Sequence, residues 1–134
     1  MLNFNLIEQR LDQIRVSTNR LKKMTSMSLE EFLSEPDNYA IAEHHLRRAL
    51  ESLFDIGRHI IAKNGFGRPE NYSQILEILG QQKVITQEFS KEIKGMAGYR
   101  NRLVHEYSKI SPEEIYEIIR TRLDDFSEYC RFIV

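Results

Sequence analysis

Apolar residues recur every three or four positions along most of this chain, and no stretch alternates as a strand ladder would. Leu6/Ile7, Leu11, Ile14, Thr18, Leu21 and Met24 trace the first stripe and predict a helix over residues 3–24. Glu8 and Asp12 come early in it and Arg20, Lys22 and Lys23 late, an order that suits the helix macrodipole. Ser28 followed by Glu31 has the form of a capping box, which starts a short helix over 29–34. Pro36 opens the longest stripe: Tyr39, Ala42, Leu46, Ala49/Leu50, Leu53, Ile56/Gly57 and Ile60 predict a helix over 37–63 that packs lengthwise in a bundle. Gly65 and Pro69 end it. Tyr72, Ile75, Leu76 and Leu79 give a second short helix up to Gly80, and Thr86 caps a helix over 87–105. Ser111, Pro112 and Glu113-Glu114 begin the last helix, which Ile115, Ile118/Ile119, Leu123, Phe126 and Cys130 carry to about residue 131. The expected fold is therefore all-α: a bundle of four main helices plus two short ones. Phe132, Ile133 and Val134 leave an apolar tail that has to dock within the chain or on a partner.

Length and composition fit that picture. The chain has 134 residues, enough for one domain over 1–134, with 41% hydrophobic and 29% charged residues and a net charge of −1. That near-neutral balance argues against a general nucleic-acid coat protein but leaves room for a local basic cleft. The lone cysteine, Cys130, permits no intrachain disulfide and reads as a packing residue. The N-terminus has no signal-peptide layout and the apolar runs are far too short to cross a membrane, so the expected setting is cytoplasmic.

Chemistry concentrates in one stretch, Tyr99-Arg100-Asn101-Arg102-Leu103-Val104-His105-Glu106-Tyr107. On a helix, Phe89, Ile93, Met96, Leu103 and Val104 share the core-facing side, and Arg100 falls near the middle of it. A half-buried guanidinium keeps its charge and needs partners. Either Arg100 is structural, snorkelling out or paired with a carboxylate, or it belongs to an anion site with His105 as the titratable group beside it. Glu51 and Asp55, four apart on the long helix, are either part of a solvated face or candidates for orienting Arg100. Gly95 and Gly98 lie one turn apart at a cost of about 1 kcal/mol each against alanine. They read as a tight helix crossing.

Other chemistries fit poorly. His44, His45, His59 and His105 include no His-Glu-x-x-His, and His44 and His45, being adjacent, are expected to point apart, so no metal site is expected. No serine or cysteine has the setting of a catalytic nucleophile. An arginine with a histidine suits a phosphodiester instead. In metal-independent RNA cleavage the substrate's 2′-OH attacks, histidine carries protons, and arginine holds the charge on phosphorus. Arg100 and His105 are five positions apart, about 140° around a regular helix. Both reach one cleft only if the helix ends or distorts there, or if two copies of the chain come together.

The Arg-x4-His-x-Tyr pattern of Arg100, His105 and Tyr107 resembles the motif of HepT-type toxins of the HEPN superfamily. The helix order, Glu51-Ser52-Leu53-Phe54-Asp55-Ile56 in the long helix, and Gly98-Tyr99-Arg100-Asn101 extend the resemblance over nearly the whole chain. The resemblance implies a HEPN-like homodimeric bundle and the toxin of a type VII toxin–antitoxin pair. It implies a metal-independent RNA endonuclease acting on tRNA or mRNA, with Arg100 and His105 catalytic and Asn101 supporting. It further implies that a minimal nucleotidyltransferase antitoxin neutralises the toxin by transferring AMP to Tyr107. ATP and magnesium serve that partner, and no cofactor is expected on this chain. The alternative is a non-catalytic helical subunit that binds a nucleotidyltransferase or presents its substrate.

Overall fold

The computed structural model describes residues 2–104 and 110–134. Among these, eight helices follow one another: α1 (Phe4–Met24), α2 (Leu29–Ser34), α3 (Pro36–Asn64), α4 (Tyr72–Gln81), α5 (Gln87–Glu92), α6 (Gly95–Val104), α7 (Pro112–Thr121) and α8 (Leu123–Ile133). No described residue is in a strand. No helix is long and apolar enough to cross a membrane.

The helix starts follow local chemistry. The Ser28 side chain accepts from the Glu31 backbone while the Glu31 side chain accepts from the Ser28 backbone, the reciprocal capping box. Thr86 and Ser111 cap α5 and α7 by accepting from Phe89 and Glu114 backbone N–H groups. Asn3 and Asn71 do the same for α1 and α4. α3 ends at Gly65, whose φ of 65° is the left-handed conformation that glycine adopts without strain.

α3 is the axis of the bundle. Leu46, Leu50, Leu53, Phe54 and Ile56 are all at most 1% exposed. α1 lies along it through Ile7, Leu11, Ile14 and Leu21, while α4, α6, α7 and α8 close the other sides. Gly57 lets α4 approach. A Cβ there would stand 2.8 Å from Ile75 Cγ2 and 3.1 Å from Leu79 Cδ1. The fully buried Tyr129 of α8 donates from its hydroxyl to the Leu53 carbonyl at 2.9 Å, which satisfies the one polar atom that its burial would otherwise strand.

Two of the expected helices are each divided. The helix expected over 87–105 breaks at Ile93-Lys94, where Lys94, Met96 and Ala97 bond three residues back rather than four. The glycine just after the break weakens helix propagation, and the bend lets Phe89, Ile93, Met96 and Leu103 all reach the core. Val104, expected on the core side, is instead 38% exposed. The last helix breaks at Arg122, whose φ of −120° and ψ of 0° leave the helical region. Asp124 and Asp125 then occupy the first turn of α8, where acidic side chains favour a fresh helix start. The apolar tail docks in part: Phe132 meets the Phe89 ring at 5.2 Å, while Val134 is 88% exposed.

Gly95 and Gly98 do not mark a tight crossing inside the chain. A Cβ at either position would meet nothing within 4 Å among the described residues. The adjacent His44 and His45 do not point apart either; their rings meet edge to face at 5.0 Å.

Candidate functional site

α6 carries the described part of the motif and rests against α3 and α4. A salt bridge from Lys94 Nζ to Glu77 Oε1 at 3.3 Å helps hold α6 against α4. His105 and Tyr107 lie outside the described residues.

Arg100 is half-buried, as its place on the apolar stripe predicts. Its partner is an aromatic face. The guanidinium carbon stands 4.4 Å from the centre of the Tyr72 ring, at the start of α4. That ring packs in turn on Phe54 of α3, centroid to centroid 4.8 Å. The negative face of the phenol ring attracts the cation without neutralising it. Arg100 Nε is buried and has no hydrogen-bond partner among the described residues. Arg58 of α3 reaches the same ring, with its guanidinium carbon 5.4 Å from the centroid. Sequence reasoning missed Tyr72 and Arg58 here. Tyr72 reads as an ordinary apolar position of a short helix, and Arg58 as one more charge on an exposed face.

The carboxylates expected to orient Arg100 lie on another face of α3, and of the two only Asp55 is paired among the described residues. Asp55 Oδ2 accepts from Arg10 Nε at 3.0 Å, joining α3 to α1. Glu51 lines a polar groove between those helices with Arg10, Gln13, Arg48, Ser52 and Asp55. In that groove Arg48 donates to Gln13 at 2.8 Å. The reason is geometric: the α3 face that carries Glu51 and Asp55 is turned to α1, whereas Arg100 arrives beside α4.

Asn101, the next residue, is exposed. Arg102 has a different role. It forks onto Glu114 in the first turn of α7, Nη1 to Oε2 and Nη2 to Oε1, both at 2.7 Å. These hydrogen bonds hold the Glu114 carboxyl below the usual carboxylate range and raise the Arg102 guanidinium further. The pair bridges the two sides of residues 105–109 and ties the end of α6 to the start of α7.

The remaining titratable groups do structural work. His59 accepts from the Asn3 backbone at 2.9 Å. Burial lowers the pKa of His45, helped by His44, Arg20 and Arg48, and its Nδ1 lies 3.4 Å from Ser17 Oγ. Burial pushes the Cys130 thiol up, away from the thiolate that a nucleophile needs. Among the described residues no three of His, Cys, Asp and Glu converge as metal ligands.

The site is thus one face of an all-α bundle that carries an arginine with no carboxylate partner among the described residues, five positions before the motif histidine. The class is that of small all-α helical bundles. The family model described as ribonuclease HepT-like matches residues 14–133, and the chain belongs to that family. It is 35% identical over 129 residues, 96% of this chain and 87% of the relative, to the tRNA nuclease HepT of Aphanizomenon flos-aquae. It is 31% identical over 85 residues, 63% of this chain and 64% of the relative, to the mRNA nuclease HepT of Shewanella oneidensis. Its fold superposes on the tri-AMPylated HEPN toxin of Shewanella oneidensis, solved in complex with MNT antitoxin, with a TM-score of 0.86, 24% identity and 98% of each chain covered.

Proposed function

We propose that this chain is the toxin of a type VII toxin–antitoxin pair and cleaves tRNA or mRNA as a metal-independent endoribonuclease. The observation that carries this reading is Arg100. It is half-buried, stacked on an aromatic ring, and no carboxylate among the described residues pairs with it. Such a guanidinium retains its full attraction for a phosphodiester. The family membership and the two nuclease relatives supply the reaction class.

In the proposed reaction the ribose 2′-OH attacks phosphorus and the bond to the 5′-oxygen breaks. His105 takes the hydroxyl proton and a proton returns to the leaving oxygen, while Arg100 holds the charge that grows on the non-bridging oxygens. Asn101 is a supporting polar group at the same helix end. Two copies of the chain supply two motifs to a shared cleft, which removes the difficulty that Arg100 and His105 are about 140° apart on a regular helix. A minimal nucleotidyltransferase antitoxin then transfers AMP from ATP to the Tyr107 hydroxyl, with pyrophosphate leaving. The added phosphate brings negative charge and bulk next to the arginine and repels RNA.

The test is cleavage of tRNA and mRNA by the purified chain in the presence of a chelator. His105→Ala is expected to lower the rate by about a hundredfold or more at unchanged thermal stability. Wild-type cleavage by that variant would overturn the nuclease reading. So would an unvaried chain that binds the nucleotidyltransferase yet cuts no RNA, which is the behaviour of a non-catalytic partner subunit. Intact mass after co-expression with the antitoxin is expected to rise by whole AMP units that map to Tyr107.

A further inference from the structure

Three elements deliver three side chains to one place. Arg58 comes from the exposed side of α3, Tyr72 opens α4, and Arg100 comes from α6. Both guanidinium carbons stand over the one ring, at 5.4 and 4.4 Å from its centroid. The two guanidinium carbons are therefore separated by no more than the sum of those distances, close enough for one flexible strand to reach both. Like charges this close repel, and ordinary folding would separate them or place a carboxylate between them. Among the described residues neither happens: the nearest acid along α3, Asp55, is taken by Arg10.

The ring is also well anchored. Phe54 beneath it is 1% exposed, and α4 is drawn onto α3 by the close approach at Gly57. The Lys94–Glu77 bridge holds α6 to the same helix. An aromatic plate that gathers two arginines with no carboxylate partner among the described residues offsets their mutual repulsion only in part, through the attraction of the ring face. A ligand with two adjacent anionic groups supplies the rest.

We propose that Arg58, Tyr72 and Arg100 form a clamp for the backbone of an RNA strand, with Arg58 gripping the phosphate next to the one that Arg100 engages. In it Tyr72 is a positioning residue that fixes the Arg100 guanidinium through its ring. This rests on the ribonuclease reading above and assigns two further residues to it.

The experiment measures binding and cleavage separately on the full chain. Binding uses an oligoribonucleotide methylated at every 2′-oxygen, which cannot be cut because its nucleophile is blocked, titrated over a range of salt. Arg58→Ala is expected to weaken binding by about tenfold, with the slope of log affinity against log salt falling by about 0.7, the release of one counterion from a single strand. On cleavable RNA the same variant raises KM and leaves kcat nearly unchanged. Tyr72→Leu is expected to lower kcat by about tenfold or more, and Tyr72→Phe, which keeps the ring, to restore it to within about twofold. The clamp is overturned if Arg58→Ala leaves both affinity and salt slope unchanged in a chain that cuts RNA. Tyr72's role is overturned if Tyr72→Leu cuts at the wild-type rate, or if Tyr72→Phe fails as badly as Tyr72→Leu. Arg58 is exposed, so its readouts stand even where Tyr72→Leu does not fold. An unvaried chain that neither cuts RNA nor binds the methylated strand overturns the functional reading and the clamp together.

Discussion

Arg100 and Arg102 stand two residues apart on α6 and are held in opposite ways. Arg102 is fixed by two short, parallel hydrogen bonds to Glu114, and its charge is matched on the spot. Arg100 lies on the Tyr72 ring with its Nε unsatisfied, and its charge is matched by nothing among the described residues. A carboxylate partner fixes the geometry of an arginine and spends its charge, because the pair is nearly neutral to an approaching anion. An aromatic partner fixes the geometry and leaves the charge available. The motif therefore contains one arginine tied by a carboxylate to the next helix and another held on an aromatic ring.

The widest separation is expected from alanine at each position. Arg100→Ala should lower RNA cleavage by about a hundredfold or more, while stability moves by no more than about 0.5 kcal/mol. Arg102→Ala should do the reverse, lowering the melting temperature with a much smaller loss of rate per folded molecule. Paired measurement of kcat/KM and Tm decides the matter. Equal rate losses in the two variants would erase the distinction.

Acid should weaken the contact that Arg102 makes with Glu114. The folded-state pKa of Glu114 is depressed by Arg102, so the pair contributes stability above the ordinary glutamate range. That contribution is lost as pH falls through the depressed folded-state value. Glu114→Gln should therefore melt earlier than the parent near pH 7, and the gap should close on acidification. Melting curves across that range test it, and a constant gap would mean that the pair is not the source.

The smallest effect concerns the open side of the same helix. Gly98→Ala adds a methyl where nothing stands within 4 Å, so the isolated chain should gain up to about 1 kcal/mol. Denaturant unfolding checks this. A loss instead of a gain would show that another copy of the chain packs against that face.

Much of the architecture could be read before any coordinates. The starts of α2, α5 and α7 lie within a residue or so of where Ser28, Thr86 and Ser111 put them. The end of α3 is where Gly65 puts it. A cap is made by residues three apart, so the sequence contains the whole interaction. The breaks at Ile93-Lys94 and Arg122 were not legible in the same way. Each lies in an unbroken helical pattern and exists because two halves of a stripe must turn to meet one core.

The site divides along the same line. That Arg100 is half-buried follows from its register among Ile93, Met96 and Leu103, and that alone marked it as unusual. Its pairing did not follow. Glu51 and Asp55 were reasonable partners by charge, yet α1 claims that face of α3 and gives Asp55 to Arg10. By itself the sequence determined an all-α chain, its helix starts and the arginine worth asking about, because periodicity and capping act over a few residues. Only the tertiary structure decided that Tyr72 would hold Arg100, that Arg58 would join them, and that Arg102 would be spent on Glu114. Those contacts depend on which helices lie side by side, and that is settled by burial across the whole bundle.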